Sequence, residues 1–170
     1  MDQDAVDRFV ESWGSMGVLW GINRSMARIH ALLIASDEPM ALDTIAKRLQ
    51  ISRGNTSMSL KELRSWGVIQ RVHLPGDRRD HYITDDDVWT MLFRILSERK
   101  KREFDPALSA VRETLEALPE GADSGPRRRL TQMEDLLSTM DRVMAQALAD
   151  EARSRAMLQF VTAPLPRDEG

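Results

Sequence analysis

Between residues 42 and 84, two short amphipathic segments, a tight turn and a hairpin follow one another with almost no spacer. From Leu42 or Asp43 to Gln50, the apolar residues Ile45, Ala46 and Leu49 recur at helical spacing. Ile51-Ser52 is a turn, and Ser52 is placed to cap a second helix running to about Trp66. Thr56, Ser59, Leu60 and Leu63 share one face of that helix, and Gly67 follows as a C′ residue suited to left-handed backbone. Val68–Leu74 has strand composition, Pro75–Arg78 is a turn signal, and Arg79–Ile83 is the returning strand. Helix, turn, helix and a Gly-tipped hairpin together predict a winged helix-turn-helix. The expected fold class is mainly α with a small β-hairpin, plus a C-terminal helical dimerisation region.

The flanks are helical. Residues 4–19 place Val6, Phe9, Val10 and Trp13 at helical spacing, with Gly14 and Gly17 weakening the end; residues 23–36 place Met26, Ile29, Leu32 and Leu33 on one face behind an Asn23 cap. Helices are expected from Thr84 to about Phe104 and over 106–118. After the loop 119–126, a long one covers roughly 127–160. The domain reading is an N-terminal helix that can join a dimer contact (1–22), the winged helix-turn-helix (23–84), a helical dimerisation region (85–162) and a loose tail (163–170).

The charge distribution gives this architecture a partner. The chain of 170 residues has a net charge of −3, which taken whole points away from nucleic acid. From Ala41 to Tyr82, however, eight basic residues stand against four acidic ones, a balance of +4 that leaves −7 to the rest. A basic module inside an acidic chain is a nucleic-acid footprint; a solvated helix face would look similar.

On the second helix, the residues opposite the apolar face are small, polar or basic: Gly54, Asn55, Ser57, Met58 and Lys61. Small residues let a helix sit deep in the major groove. Asn55 and Arg53 are base-reader candidates, Asn towards adenine and Arg towards guanine. Ser52 and Ser57 are phosphate-donor candidates, Ser52 being first a helix cap. Arg78 and Arg79 at the hairpin tip could reach phosphates or an adjacent minor groove, with Asp77 serving the turn or orienting one of them. His73 and His81 are expected near each other across the hairpin, as ordinary surface residues.

The stretches ISRGNTSMSLKELRSWGVIQRV and PGDRRDHYITDDDVW resemble the GbsR branch of the MarR-type winged-helix regulators, over roughly residues 10–115. The resemblance implies a prokaryotic transcription factor, typically a homodimer, whose family namesake represses genes for making glycine betaine from choline. It implies a recognition helix from Ser52 to Arg64, which adds Arg64 to the DNA-binding set, and a wing from Gly76 to Arg79. From about residue 119 onward, nothing specific is matched.

Two-fold dimers on pseudo-palindromic double-stranded DNA compensate for the small surface of one winged helix. The candidate interface is the seam Leu130, Met133, Leu137, Met140, Met144 and Ala147, spaced 3, 4, 3, 4, 3 as in a heptad. Packing of that seam within the chain against residues 88–118 is the alternative. Trp66 and Trp89 are expected in the core. Trp13 and Trp20 flank a glycine-rich bend and could cage a quaternary ammonium effector such as choline or betaine.

The absence of cysteine excludes disulfides, thiolate metal sites and cysteine nucleophiles, and agrees with a cytoplasmic location. Three scattered histidines offer little for a metal site, and no cofactor is expected. There is no nucleophile–base set or phosphate loop, so an enzyme is not expected. Asp85-Asp86-Asp87 suits a helix start better than a metal cluster. No secretory signal or membrane span is evident. The competing reading is a winged-helix module that binds protein instead of DNA, for which the face of residues 53–64 should be apolar.

Overall fold

A computed structural model describes residues 2–118 and 125–161 of the chain. They fall into two compact units, Met1–Arg94 and Ile95–Gly170.

The first unit begins with α1 (Gln3–Leu19) and α2 (Arg24–Ile34). Asn23 starts α2 as its composition predicts: Oδ1 accepts from the backbone N–H groups of Ser25 and Met26 at 2.9 and 3.3 Å. The two helices approach closely because α1 turns glycines towards α2. A Cβ at Gly17 would lie 2.5 Å from Cβ of Ala27. These glycines are therefore packing residues, a role that helix propensity alone does not reveal.

A two-residue strand, β1 (Met40–Ala41), leads into α3 (Leu42–Leu49). That helix ends at Gln50 in left-handed backbone, φ 54°. This is the geometric event that makes the turn, one residue earlier than Ile51-Ser52. α4 (Arg53–Ser65) follows. Ser52 Oγ accepts from the N–H of Asn55 at 3.2 Å, and Thr56 Oγ1 donates to the Ser52 carbonyl at 3.0 Å. Thr56, Ser59, Leu60 and Leu63 are the buried face of α4, as their spacing requires. Met26, Ile29 and Leu33 of α2, Ile45 of α3, Leu60 of α4 and Val68 are fully enclosed. Each large aliphatic among them contributes roughly 1.5–3 kcal/mol on burial.

The wing is larger than a hairpin. β2 (Ile69–His73) and β3 (Asp80–Thr84) pair antiparallel, and β1 adds to the other edge of β3, giving the order β1-β3-β2. Sequence does not reveal Met40–Ala41 as a sheet partner, since two residues carry no period. The register sets Val72 against His81 and His73 against Asp80. Adjacent strand positions point to opposite faces. His81 is therefore buried and His73 exposed, and the two do not share a surface as expected.

α5 (Val88–Arg99) opens behind Asp87, whose carboxylate accepts from the N–H of Trp89 and the hydroxyl of Thr90. The second unit takes the end of α5, a π-helical stretch (Lys100–Phe104), α6 (Asp105–Ala117), α7 (Gly125–Ala149) and α8 (Glu151–Val161). Two corrections arise here. The π-helical stretch joins the two helices expected as separate over 84–104 and 106–118. The single helix expected over 127–160 is broken at Asp150, whose Oδ1 accepts from the N–H of Arg153 and so starts a new helix. Most of the loop 119–126 and the tail 163–170 lie outside the described residues.

Candidate nucleic-acid interface

α4 presents an exposed stripe opposite its buried face: Arg53, Gly54, Ser57, Met58, Lys61 and Arg64. A Cβ added at Gly54 would meet nothing within 4 Å, so the start of the helix is stripped to backbone on its open side. Met58, 70% exposed, is the one large apolar side chain on that stripe among the described residues.

Asn55, expected as a base reader, also bonds within the chain. Its Nδ2 donates to Ser25 Oγ at 2.9 Å and its Oδ1 accepts from Ser59 Oγ at 3.4 Å. The amide therefore ties α4 to the first turn of α2. Asn55 is half-buried, with one bond made inside the chain at each end of its amide. The sequence signal that could have warned of this is position: Asn55 adjoins the buried Thr56 and stands one turn before the buried Ser59.

Ion pairing sorts the basic residues of 41–82 into two groups. Arg48 pairs with Asp7 at 2.7 Å, Arg71 with Asp80 at 3.2 Å, Arg79 with Asp77 at 2.5 Å, and Arg53 with Asp43. Lys47, Lys61, Arg64 and Arg78 have no such partner among the described residues. The free positive charge of the module thus sits on α3, α4 and the wing tip.

The wing tip is a built turn. The Asp77 N–H donates to the Leu74 carbonyl at 3.1 Å around Pro75-Gly76, and Gly76 takes φ +81°. Pro then Gly at the two central positions suits a type II turn, which needs positive φ at the second. Gly76 therefore serves the wing through its backbone.

Asp77 also accepts from the Arg79 backbone N–H at 3.0 Å and from its guanidinium. These bonds hold the Asp77 carboxyl far below the usual carboxylate range. The guanidinium's own bonds to Asp77, then the charge of Asp77 and of Asp43, raise the Arg79 guanidinium above its ordinary value. Beneath them His81 Nδ1 lies 3.0 Å from the Arg79 carbonyl, and Nε2 3.4 Å from Asp77. Arg79 is thus fixed, whereas Arg78 is free and exposed.

Arg94 of α5 braces the far end of α4. Its Nη1 donates to the Gly67 carbonyl at 2.6 Å and to Asp85 at 3.0 Å. Sequence reading missed this residue, because Glu98 at i+4 offers it an ordinary helix-face partner and nothing local signals a carbonyl 27 positions away.

The two tryptophans proposed for an effector are differently placed. Trp13 is half-buried with its ring 5.6 Å from that of Phe9, and Trp20 is 53% exposed at the C-cap of α1. Seven helical residues separate them by about 10 Å along the axis. Trp66 is buried as expected.

The seam of α7 divides. Arg112 of α6 bonds Glu134 at 3.0 Å and Ser138 at 2.9 Å, and Lys100 bonds Asp141 at 2.7 Å. These contacts commit one face of α7 to its own chain. Leu130, Leu137, Met144 and Ala147 are half-buried, while Met133 and Met140 are exposed. Leu136 and Val143, which the heptad reading omitted, are exposed beside them at 59% and 61%.

Residues 20–80 match the MarR family. The chain is 24% identical over 111 residues to the HTH-type transcriptional repressor GbsR of Bacillus subtilis (strain 168), covering 65% of this chain and 61% of that protein. It therefore spans about three-fifths of that relative's length. It is 28% identical over 144 residues to the HTH-type transcriptional regulator MmpR5 of Mycobacterium tuberculosis (strain ATCC 25618 / H37Rv), covering 82% of each. The crystal structure of a transcriptional regulator superposes with a TM-score of 0.65 at 26% identity, covering 85% of this chain and 96% of that one.

Proposed function

We propose, from the premise that residues 20–80 are a MarR-family domain, that the chain is a sequence-specific DNA-binding transcriptional regulator acting as a homodimer. Repression is the expected direction. α4 enters the major groove, and the wing lies on the backbone or in the minor groove. The observation that carries this reading is the coincidence of unpaired cations with the exposed stripe of α4 and the wing tip: Lys61, Arg64 and Arg78. Ser57 lies on the same stripe as a phosphate donor, and Ser52, committed to the cap, adds the polar end of the helix. With Met58 alone as an exposed apolar residue there, a protein-docking face has little to bury.

The dimer contact is proposed on α7 around Met133 and Met140, with Leu136 and Val143. A small-molecule effector belongs to the proposal as well. A fluorescence titration of Trp13 and Trp20 with choline and betaine tests that part, and no change at millimolar ligand counts against it.

The direct test is retardation of a duplex carrying the protein's own promoter at micromolar protein, across a salt series. Salt-sensitive binding is expected, since phosphate neutralisation releases counterions. Lys61→Ala should weaken binding to all sequences and reduce the salt slope by about one unit. Arg78→Glu should abolish binding at unchanged thermal midpoint. It is a cleaner variant than Arg79→Glu, which would also undo the turn. Binding with no salt dependence, or none at all, would overturn the reading.

A further inference from the structure

We propose that Asp43 is a specificity-determining positioning residue. Its carboxylate fixes the Arg53 guanidinium at the start of α4 so that Arg53 meets one base edge, while the unpaired Lys61, Arg64 and Arg78 meet phosphate. The inference rests on the DNA-binding reading above and concerns how that surface discriminates.

Asp43 stands in the first turn of α3 and Arg53 opens α4, so their ion pair spans the helix-turn-helix. Both side chains are at the surface, 50% and 72% exposed. A pair that open to water adds little stability. Asp43 also places a negative charge on a surface that phosphate would approach, which by itself weakens binding. What it supplies is order. An unpaired arginine samples many rotamers and loses that freedom on contact, whereas a tethered one is already placed. Asp43 takes Nη1 and leaves Nη2 for a base acceptor. The planar guanidinium suits the O6/N7 edge of guanine.

The same logic explains why the free cations are not the readers. Phosphate contact needs charge more than a fixed angle, and Lys61, Arg64 and Arg78 have charge without a tether. The charge of Asp43 also acts on Arg79, after the stronger hold of Asp77.

The test is selection of bound duplexes from a random pool by the full chain, with Asp43→Asn and Arg53→Lys beside the wild type. Both variants are expected to lose preference at one and the same base pair of each half-site, by on the order of fivefold or more. The rest of the motif should persist. Asp43→Asn should bind random duplex as well as or better than wild type. In the Arg53→Ala background, Asp43→Asn should have no further effect on the motif.

A purely structural role for Asp43 at the start of α3 predicts something else: a lower thermal midpoint and equal loss at every position. That outcome, or a motif left unchanged by Asp43→Asn, overturns the inference while leaving the DNA-binding reading in place. Failure of the wild type to select any motif would overturn that reading itself, and this inference with it.

Discussion

His30 lies on α2 in the core of the first unit, with Nε2 buried and without a hydrogen-bond partner among the described residues. Burial disfavours the imidazolium and lowers its pKa to about 4, against an unfolded value near 6.5. The folded protein therefore resists a proton that the unfolded chain accepts. Stability is unaffected above about pH 6.5 and falls as pH drops towards 4, by up to about 3 kcal/mol. Above about pH 5.5 the ordinary carboxylates contribute little, so the upper part of this window belongs to the histidine. Denaturant melts between about pH 5.5 and 7 should show the slope, and His30→Leu should flatten it. An equal slope in the variant would refute the assignment. Asn55 is the second residue whose surroundings decide its role. Because its amide joins Ser25 to Ser59, Asn55→Ala should cost about 1–2 kcal/mol of stability. The selected DNA motif should keep its shape, and a motif relaxed at one base would instead restore Asn55 as a reader.

At the scale of elements, the pairing of α1 with α2 is the most exposed to substitution. The neighbour that a Cβ at Gly17 meets is another Cβ, attached to backbone and unable to swing away. Gly17→Ala should force the helices apart and cost about 1–3 kcal/mol despite the better helix propensity of alanine, read as a lower thermal midpoint. The midpoint would rise if the contact were soft. α4 was legible almost residue by residue, because its cap, its buried face and its exposed stripe are all written within fourteen consecutive residues. β1 was not. A two-residue strand gains its identity only from the β3 edge beside it. The break at Asp150 was likewise hidden, since the heptad spacing gives no reason to stop and an aspartate is also tolerated on an exposed helix face.

At the scale of the whole molecule, the net charge of −3 is the sum of two regions with different uses. Four basic residues of 41–82 are absorbed in ion pairs, so the surplus seen in sequence resolves into Lys47, Lys61, Arg64 and Arg78. The proposed dimer contact is also a property at this scale. Leu136→Glu with Met140→Glu, both exposed, should leave the chain folded but shift it to a monomer in analytical ultracentrifugation, and should weaken operator binding by more than tenfold. An unchanged sedimentation coefficient would place the contact elsewhere.

The sequence by itself determined the helix-turn-helix and hairpin, the buried face of α4, the turn at Pro75-Gly76 and the basic character of this segment. Each is local: a cap, a period or a turn acts within a few residues along the chain. Only the tertiary structure decided that Asn55 faces α2, that Arg53 and Arg79 are tethered while Arg78 is free, that His81 is buried, and which side of α7 remains open. Those outcomes depend on partners far away in sequence, as from Asn55 to Ser25 or from Arg112 to Ser138. Spacing records which face a residue occupies, but not what the folded chain brings against it.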